Sequence, residues 1–241
     1  MLRHFEIALS FLTVFKVRVE PAPELQEVGR SGWCFPLVGM VIGALIVCIQ
    51  LVFSGHLSVF LVAVLVTGSW IFLTGGLHLD GWTDCWDALA ASVSPERRMQ
   101  ILKDSRLGTF GALGLILLLA VKTGSIARED ISIPVLFAAP VIGRGFMVFA
   151  SYGSRHRGDG MAAMFLSGLD RDSARWALLF AIAAAVLCGW SGIIAAAIAY
   201  AAALWFMRFA EARLPAINGD VIGAVCEFSE TVFLLISAMK W

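Results

Sequence analysis

Three aspartates near the middle of the sequence are spaced so that they could hold a metal ion together. Asp80, Asp84 and Asp87 lie within residues 75–111, the longest polar interruption of an otherwise apolar chain. Positions i, i+4 and i+7 share one face of an α-helix, so a helix over 80–91 would align the three carboxylates. Mg²⁺ is the expected cation, because it takes carboxylate and phosphate oxygens together. The spacing alone also allows a solvated acidic helix face.

A basic segment follows these aspartates. Glu96–Arg106 is predicted to be a basic helix that includes Lys103 and Arg106. Carboxylates for a metal next to cations for phosphate are the groups that a phosphate-handling site needs. Gly108 and Gly111 open the next predicted helix, whose first N–H groups could bind an anion. A plain helix break would explain these glycines equally well.

Further ionisable residues lie at the ends of apolar segments or inside them. His78 lies two residues before Asp80. It could be a metal ligand, a proton carrier, a hydrogen-bond donor to phosphate or an interface histidine. Asp220, Glu227 and Glu230 can share one face of a late helix. Carboxylates inside an apolar helix normally face a polar cavity. We therefore consider them candidates for a general base or for completing the metal site.

Two arginines allow both a structural and a functional interpretation. Arg144 lies inside an apolar segment, where a cation without a partner is costly. It could pair within the helix bundle or contact a diphosphate. Arg155 belongs to a charged loop with glycines, which could be solvated or could contact substrate.

The composition predicts that these residues are positioned by a helical membrane protein. The chain has 241 residues, of which 59% are hydrophobic and only 15% are charged, and soluble domains are rarely so apolar. The formal net charge is zero, so no bulk positive field predicts nucleic-acid binding. The five cysteines form no C-x-x-C pair, which argues against a zinc site. We predict an all-α, polytopic helix bundle with a single domain over residues 1–241.

Seven apolar segments are candidate membrane spans, and several approach the roughly 20 residues that cross the hydrocarbon core. They are 33–53, 58–77, 109–127, 131–152, 174–188, 191–210 and 221–239. The shorter segment 2–16 is predicted to be an interfacial or re-entrant helix. Lys and Arg concentrate in alternate loops, which predicts a cytoplasmic N-terminus. The motif loop 78–108, with two short helices, then faces the cytoplasm.

The central motifs resemble a known family. His78-Leu79-Asp80-Gly81-x-x-Asp84-x-x-Asp87 is followed by Lys103-Asp104-Ser105-Arg106-Leu107-Gly108-Thr109. Gly143-Arg144 and Gly219-Asp220-x-x-Gly223, with Glu227 and Glu230 after it, extend the likeness over most of the chain. This pattern is similar to the cobalamin synthase family, the adenosylcobinamide-GDP ribazoletransferases. The chain departs from the family at Ala88, where glycine is common, and at Leu79, where many members have glutamate.

The resemblance implies a phosphoryl transfer at a bacterial inner membrane. The corrinoid phosphoryl group of adenosylcobinamide-GDP would pass to α-ribazole or α-ribazole 5′-phosphate, with release of GMP. Mg²⁺ would be held by Asp80, Asp84 and Asp87. His78, Asp220 or Glu227 would accept the hydroxyl proton. Substrate contacts are expected from Lys103, Ser105, Arg106, Arg144, Arg155 and Glu230.

Two other function classes stay open at this point. A CDP-alcohol phosphatidyltransferase-like enzyme also uses spaced aspartates beside a membrane, but the Ala-Arg of its D-G-x₂-A-R pattern is missing after Asp80-Gly81. A cation transporter could use Asp80, Arg144 and the late glutamates as its pathway. Transporters, however, tend to place polar groups near mid-membrane and often in repeats. The bilayer is the expected partner, and the sequence leaves a homo-oligomer open.

Overall fold

A computed structural model describes residues 1–104, 106–154 and 161–239 of the chain, and the regular structure in these ranges is helical. The predicted all-α class is therefore confirmed. A short 3₁₀ turn, Ser31–Cys34, joins α2 to α3. The α-helices are α1 Leu2–Leu12, α2 Leu25–Arg30, α3 Phe35–Phe53, α4 Val59–Thr74, α5 Leu77–Ala90, α6 Pro95–Ile101, α7 Thr109–Ile126, α8 Ile133–Tyr152, α9 Met161–Gly168, α10 Arg171–Leu187, α11 Gly189–Glu211 and α12 Gly219–Ser237.

Four helical segments in the described ranges are long and apolar enough to cross a membrane. They are Leu25–Phe53, α7, α8 and α11, and they correspond to four of the predicted spans. A bent pair, α4 with α5, would add a fifth if it forms one crossing. The polytopic helical fold is thus confirmed, whereas the count of seven is not. Two other predicted spans, which became α10 and α12, are not among these segments. α10 has only 17 residues, and α12 carries three carboxylates.

The predicted span 58–77 is interrupted before its end. α4 ends at Thr74, and α5 begins at Leu77 with its axis turned by 94°. Between them, Gly75 and Gly76 have φ angles of 62° and 69°, in the left-handed region that costs glycine little. The glycine pair therefore redirects the chain and carries the aspartates of α5 out of the line of α4.

α8 lies at the centre of the bundle and packs against α3, α10 and α12. Its contact with α3 depends on small residues: a Cβ at Gly39 or Gly43 would stand 2.6 or 2.4 Å from the carbonyl oxygens of Pro140 and Phe137. Such residues allow helices to approach closely where lipid supplies no hydrophobic drive. α12 also packs against α5, α7 and α11, so it connects the bundle centre to the aspartate helix.

Two helices are shorter than the sequence indicated. α1 ends at Leu12, although the predicted segment runs to residue 16. The basic helix predicted over Glu96–Arg106 ends at Ile101, so its extension to Arg106 is wrong. Ser94 caps α6 by accepting a hydrogen bond from the N–H of Arg97, which fixes where it begins. Lys103 and Arg106 lie in the connection between α6 and α7.

Candidate functional site

Asp87 joins α5 to the beginning of α7. Its Oδ2 accepts a hydrogen bond from the N–H of Gly108, and its Oδ1 accepts one from the N–H of Gly111, each at 2.8 Å. A Cβ at either glycine would approach the carboxylate to 2.3 Å, so the contact requires glycine at both positions. A helix N-terminus favours negative charge. In the structure, the side chain of Asp87 is the anion at this helix start.

The other two aspartates of α5 lie beside a carboxylate of α12. Gly81 packs on the backbone of Asp220, where a Cβ would stand 2.6 Å from the Asp220 carbonyl oxygen. Burial, together with the charges of Asp80, Asp220 and Asp87, raises the pKa of Asp84 to about 6. Negative charge collected in this way is unfavourable until a cation joins it, and a divalent metal would relieve the repulsion.

The carboxylates of Asp80 and Asp84 suit a Mg²⁺ ion that also binds substrate. Asp80 is exposed and Asp84 is half-buried, so both can be reached from outside the bundle. No group of three or more His, Cys, Asp or Glu side chains within the described ranges could hold a metal by itself. Mg²⁺ commonly binds through one or two carboxylates and completes its shell with water and substrate phosphates. These residues therefore match a metal shared with a phosphate substrate rather than one enclosed by protein.

An apolar cavity of about 260 Å³, which we call the His78 cavity, borders Asp220. Phe11, Phe35 and Phe165 contribute aromatic walls, and His78 and Asp220 are also in its lining. His78 is buried, and its Nδ1 has no hydrogen-bond partner. Both residues are candidate proton acceptors from the sequence, and the structure places them in the lining of one cavity.

Asp220 is held in place by its own helix start. Its Oδ2 accepts a hydrogen bond of 2.5 Å from Nδ2 of Asn218, the cap residue of α12. Burial raises the pKa of Asp220, while the Asn218 bond acts in the opposite direction and the Asp80 charge raises it further. A carboxylate with a raised pKa is a stronger proton acceptor when it is ionised.

A second, larger cavity of about 770 Å³ lies next to the first and shares Phe11 and Leu77 with it. Its lining includes Asp80, Thr83 and Lys16. Asp80 thus faces the larger cavity, while Asp220 lines the His78 cavity. The carboxylates stand where two compartments of different size meet, as a reaction between two substrates requires.

Of the predicted phosphate-binding cations, Arg106 lies at the Asp87 end of the aspartate row. Lys103 is exposed, and Arg106 forms an exposed ion pair of 2.7 Å with Asp104. Arg106 and Asp104 line an open cavity of about 400 Å³ together with Asp87. An exposed pair of this kind is weak, so Arg106 can exchange its partner for a phosphate. Ser105 and Arg155 lie outside the described residues.

Glu227 and Glu230 belong to a different environment, a buried charge cluster with Lys122 and Arg144. Lys122 Nζ donates to Glu227 Oε2 at 2.8 Å and to Glu230 Oε2 at 2.6 Å. Arg144 pairs with Glu230 Oε1, and both of these side chains have no exposed surface. The structure thus gives Arg144 the structural alternative, pairing within the bundle. Among the described residues, no hydrogen bond or ion pair joins Arg144 or the two glutamates to Asp80, Asp84 or Asp220.

Lys122 is the residue that the sequence analysis missed. It lies in α7 among apolar neighbours, and its Nζ also stands 3.9 Å from the centre of the Trp70 ring. A cation inside an apolar segment needs a partner. The rule that drew attention to Arg144 would therefore have found Lys122, and with it a reason for two buried glutamates.

Comparisons with known proteins match nearly the whole chain to one family. A family model described as cobalamin-5-phosphate synthase matches residues 4–238. An adenosylcobinamide-GDP ribazoletransferase from Pseudomonas savastanoi pv. phaseolicola is 37% identical over 240 residues, with 98% of each chain covered. Proteins of the same name from Syntrophobacter fumaroxidans and Brevibacillus brevis are 35% and 34% identical, with 100% and 97% of each chain covered. The comparison with solved structures gave no match. The chain belongs to the cobalamin-5-phosphate synthase family.

Proposed function

We propose that this chain is an adenosylcobinamide-GDP ribazoletransferase, the enzyme of the final nucleotide-loop assembly step of cobalamin. Its relatives carry that name at 34 to 37% identity over nearly the whole chain. The observation in the structure that supports the proposal best is the position of Asp80 and Asp220 at two adjoining cavities. The donor adenosylcobinamide-GDP and the acceptor α-ribazole, or its 5′-phosphate, would each occupy one of them.

The reaction is a displacement at a diphosphate. A hydroxyl oxygen of the nucleoside forms a bond to the phosphorus nearer the corrinoid, and the bond from that phosphorus to the bridging oxygen breaks. GMP leaves with the bridging oxygen, and the hydroxyl proton passes to a base. Such transfers depend on alignment and on neutralising the phosphate oxygens. Asp80 and Asp84 would hold Mg²⁺, which when bound supplies part of that neutralisation.

We assign the remaining roles by access and burial. Asp220 is the proposed base, because it is half-buried, lines a cavity and has a raised pKa. Glu227 is a poorer base, because Lys122 already holds its carboxylate in the interior. Arg106 and Lys103 would stabilise charge on the departing GMP, and Asp87 would align α7 with α5. Contacts from Ser105 and Arg155 remain predictions of the sequence.

The apolar helices make this a membrane protein. We further propose that it lies in the bacterial inner membrane with the aspartates facing the cytoplasm. The asymmetric distribution of Lys and Arg between loops supports this orientation. An amphiphilic corrinoid could then lie at the interface, while the soluble nucleoside enters from the cytoplasm.

The test uses purified protein in detergent with adenosylcobinamide-GDP, α-ribazole and Mg²⁺, and GMP release is followed. We expect GMP and the cobalamin product in equal amounts, and we expect excess EDTA to stop the reaction. Release of CMP from CDP-diacylglycerol and an alcohol, with no GMP from the corrinoid donor, would contradict the proposal. Cation flux in proteoliposomes without any nucleotide would contradict it as well.

A further inference from the structure

We infer that an anionic phospholipid binds where α5 and α11 end, with its phosphate on Arg98 and Arg213 and one acyl chain in a neighbouring apolar cavity. This inference goes beyond the proposed function, because it concerns a lipid rather than either substrate. Neither arginine is among the residues proposed above for metal binding, proton transfer or substrate contact.

The apolar part of this site is a cavity of about 340 Å³, which we call the Trp205 cavity. α11 lines it with Trp205, Phe206 and Phe209, and the second half of α5 lines the opposite side. α11 is long and apolar enough to cross a membrane, and Trp205 is 58% exposed on it. Trp205 thus borders both the cavity and the outer surface of a membrane-crossing helix, where acyl chains are available.

The lining favours an acyl chain over a nucleotide base. It consists of aromatic and aliphatic side chains and one cysteine, with almost no polar surface. The indole N–H of Trp82 already donates to the carbonyl oxygen of Gly114 at 3.0 Å. A base carries ring nitrogens and exocyclic groups along its edge, and burying them without hydrogen-bond partners is costly. An acyl chain has no such groups, so the cavity admits it without that cost.

Two arginines lie at one end of this cavity. Arg98 donates at 3.1 Å to the carbonyl oxygen of Ala91, which follows the lining residue Ala90. The guanidinium of Arg213 lies 3.7 Å from the ring centre of Phe209, which is another lining residue. Nη1 of Arg98 also approaches the carbonyl oxygen of Arg213 to 3.5 Å, so the two arginines are neighbours. These contacts place both cations where α5 and α11 end.

The charge of these two arginines is not balanced by the protein. In the described part of the chain, neither forms an ion pair with a carboxylate, whereas Arg208 pairs with Glu211 at 3.1 Å. Both are half-buried, so they are held in place and can still be reached from outside. A guanidinium has five N–H donors, and carbonyl contacts use few of them here. The remaining donors suit phosphate oxygens, which arginine binds through parallel hydrogen bonds.

The depths of the two parts match those of a phospholipid. Arg213 lies two residues beyond the end of α11, and Phe209 and Trp205 lie about one and two helical turns before it. A phosphate at Arg213 would therefore leave its acyl chain beside these rings, inside the membrane. Each basic side chain at a membrane surface favours an anionic lipid. A zwitterionic headgroup would bring a further cation to the pair, so we expect a lipid such as phosphatidylglycerol.

Lipid selection is measured on the purified protein in detergent without substrates. The protein is incubated with equal amounts of phosphatidylglycerol and phosphatidylcholine, and bound lipid is identified by mass spectrometry of the intact complex. We expect the wild type to prefer phosphatidylglycerol about tenfold or more. Arg98→Gln/Arg213→Gln should reduce this preference to within about twofold, whereas Arg98→Lys/Arg213→Lys should keep most of it. Arg171→Gln/Arg175→Gln is the matched control, because it removes two exposed cations at the start of α10, and it should behave as the wild type.

Filling the cavity tests the position of the acyl chain. Ala90 lines the Trp205 cavity, and Ala162 lines the His78 cavity. We expect Ala90→Phe to weaken phosphatidylglycerol binding about fivefold or more, because it removes space for the chain. Ala162→Phe is the matched control and should leave the binding unchanged. Glycerophosphoglycerol, the same headgroup without acyl chains, should not displace the lipid even in large excess.

Several outcomes would overturn the inference. They are equal binding of the two lipids by the wild type, an equal loss of preference in the Gln and Lys double variants, and unchanged binding in Ala90→Phe. Displacement by glycerophosphoglycerol would show a phosphate contact without an acyl chain, and displacement by adenosylcobinamide-GDP would make the arginines part of the donor site. Either displacement would overturn it too. A protein that selects phosphatidylglycerol but releases no GMP would contradict the proposed function alone.

Discussion

Two groups of ionisable side chains in the described part of the chain differ in charge balance and in access. The buried charge cluster has two cations, Lys122 and Arg144, against two anions, and its side chains are at most 6% exposed. The aspartate site has Asp80, Asp84 and Asp220, which are exposed or half-buried, and Asp80 and Asp220 border cavities. The first group is electrically complete, whereas the second accumulates negative charge.

This difference separates scaffold from site within one apolar bundle. A buried pair whose charges cancel needs nothing from outside, and removing one member leaves an uncompensated charge. A cluster of like charges at the edge of the bundle lowers stability and is relieved by a cation. Carboxylates therefore support the fold in the buried charge cluster and form the candidate site in the aspartate group. The balance of charge within each group distinguishes the two roles.

The largest effect is expected from breaking the buried cluster. Glu230→Gln removes an anion that both Lys122 and Arg144 contact. Leaving a buried cation unpaired should lower the free energy of unfolding by about 3 kcal/mol or more. The thermal midpoint in detergent, and the yield of folded protein, would measure the loss. As a control, Asp172→Asn removes the exposed pair with Arg175 and should cost about 0.5 kcal/mol at most. An unchanged midpoint with lost GMP release would move Glu230 into the site and break the comparison.

Asp84→Asn should show the opposite pattern. It removes a carboxylate of the proposed metal pair, so we expect GMP release to fall by about a hundredfold or more. It also removes one of the charges that repel each other, so the thermal midpoint without Mg²⁺ should stay the same or rise. Both quantities are measured on one preparation, with Mg²⁺ titrated from zero to saturation. Full activity with normal Mg²⁺ dependence would remove Asp84 from the site.

The contact between the two regions can be weakened at one glycine. Gly111→Ala would drive a Cβ against the Asp87 carboxylate and displace its bond to the start of α7. Loss of such a cap costs about 1 kcal/mol, and we expect a partial loss of activity with it. Gly124→Ala is the matched control in the same helix, because nothing lies within 4 Å of its added Cβ. Equal effects of the two substitutions on the midpoint would mean that the Asp87 contact contributes nothing.

Much of this fold could be predicted from the sequence, because the signals are local. Apolar length indicated the spans that became α7, α8 and α11, and the spacing of the aspartates indicated α5. The bend after α4 was missed, because an apolar run shows no direction, although the Gly75-Gly76 pair marks the place. The count of seven spans rested on the length of each apolar run, although the last of them, 221–239, carries Glu227 and Glu230.

The candidate site was harder to predict, because its pairings join distant parts of the chain. The role of Asp87 depends on α5 and α7 meeting at Gly108, and no residue pattern within α5 shows that contact. Asp220 stands out as a candidate general base only because α12 packs against α5 at Gly81, which brings it next to the other aspartates. The sequence grouped Glu227 with Asp220 because both fall on one helix. Burial and the Lys122 contact separate them.

The smallest effect concerns the pH dependence of stability without metal. The folded-state pKa of Asp84 is raised to about 6 from an ordinary value of 3.8, so the folded protein holds its proton more tightly than the unfolded chain does. This contribution to stability is complete below about pH 4 and is lost as the pH rises through about 6. In EDTA, the titration of Asp84 should therefore lower the thermal midpoint between pH 4 and pH 7. This component should be at most a few degrees, because solvent screens a half-buried carboxylate.

Asp84→Asn isolates that component, because the variant lacks the titrating group. The difference in midpoint between wild type and variant should change with pH, and saturating Mg²⁺ at pH 7 should stabilise the wild type more than the variant. In Glu230→Gln the component should persist, because the buried cluster is a separate group. A difference between wild type and Asp84→Asn that stays constant from pH 4 to pH 7 would show that the aspartates do not repel one another. The two regions would then no longer differ in charge balance, and the argument for a cation at Asp84 would lose its electrostatic basis.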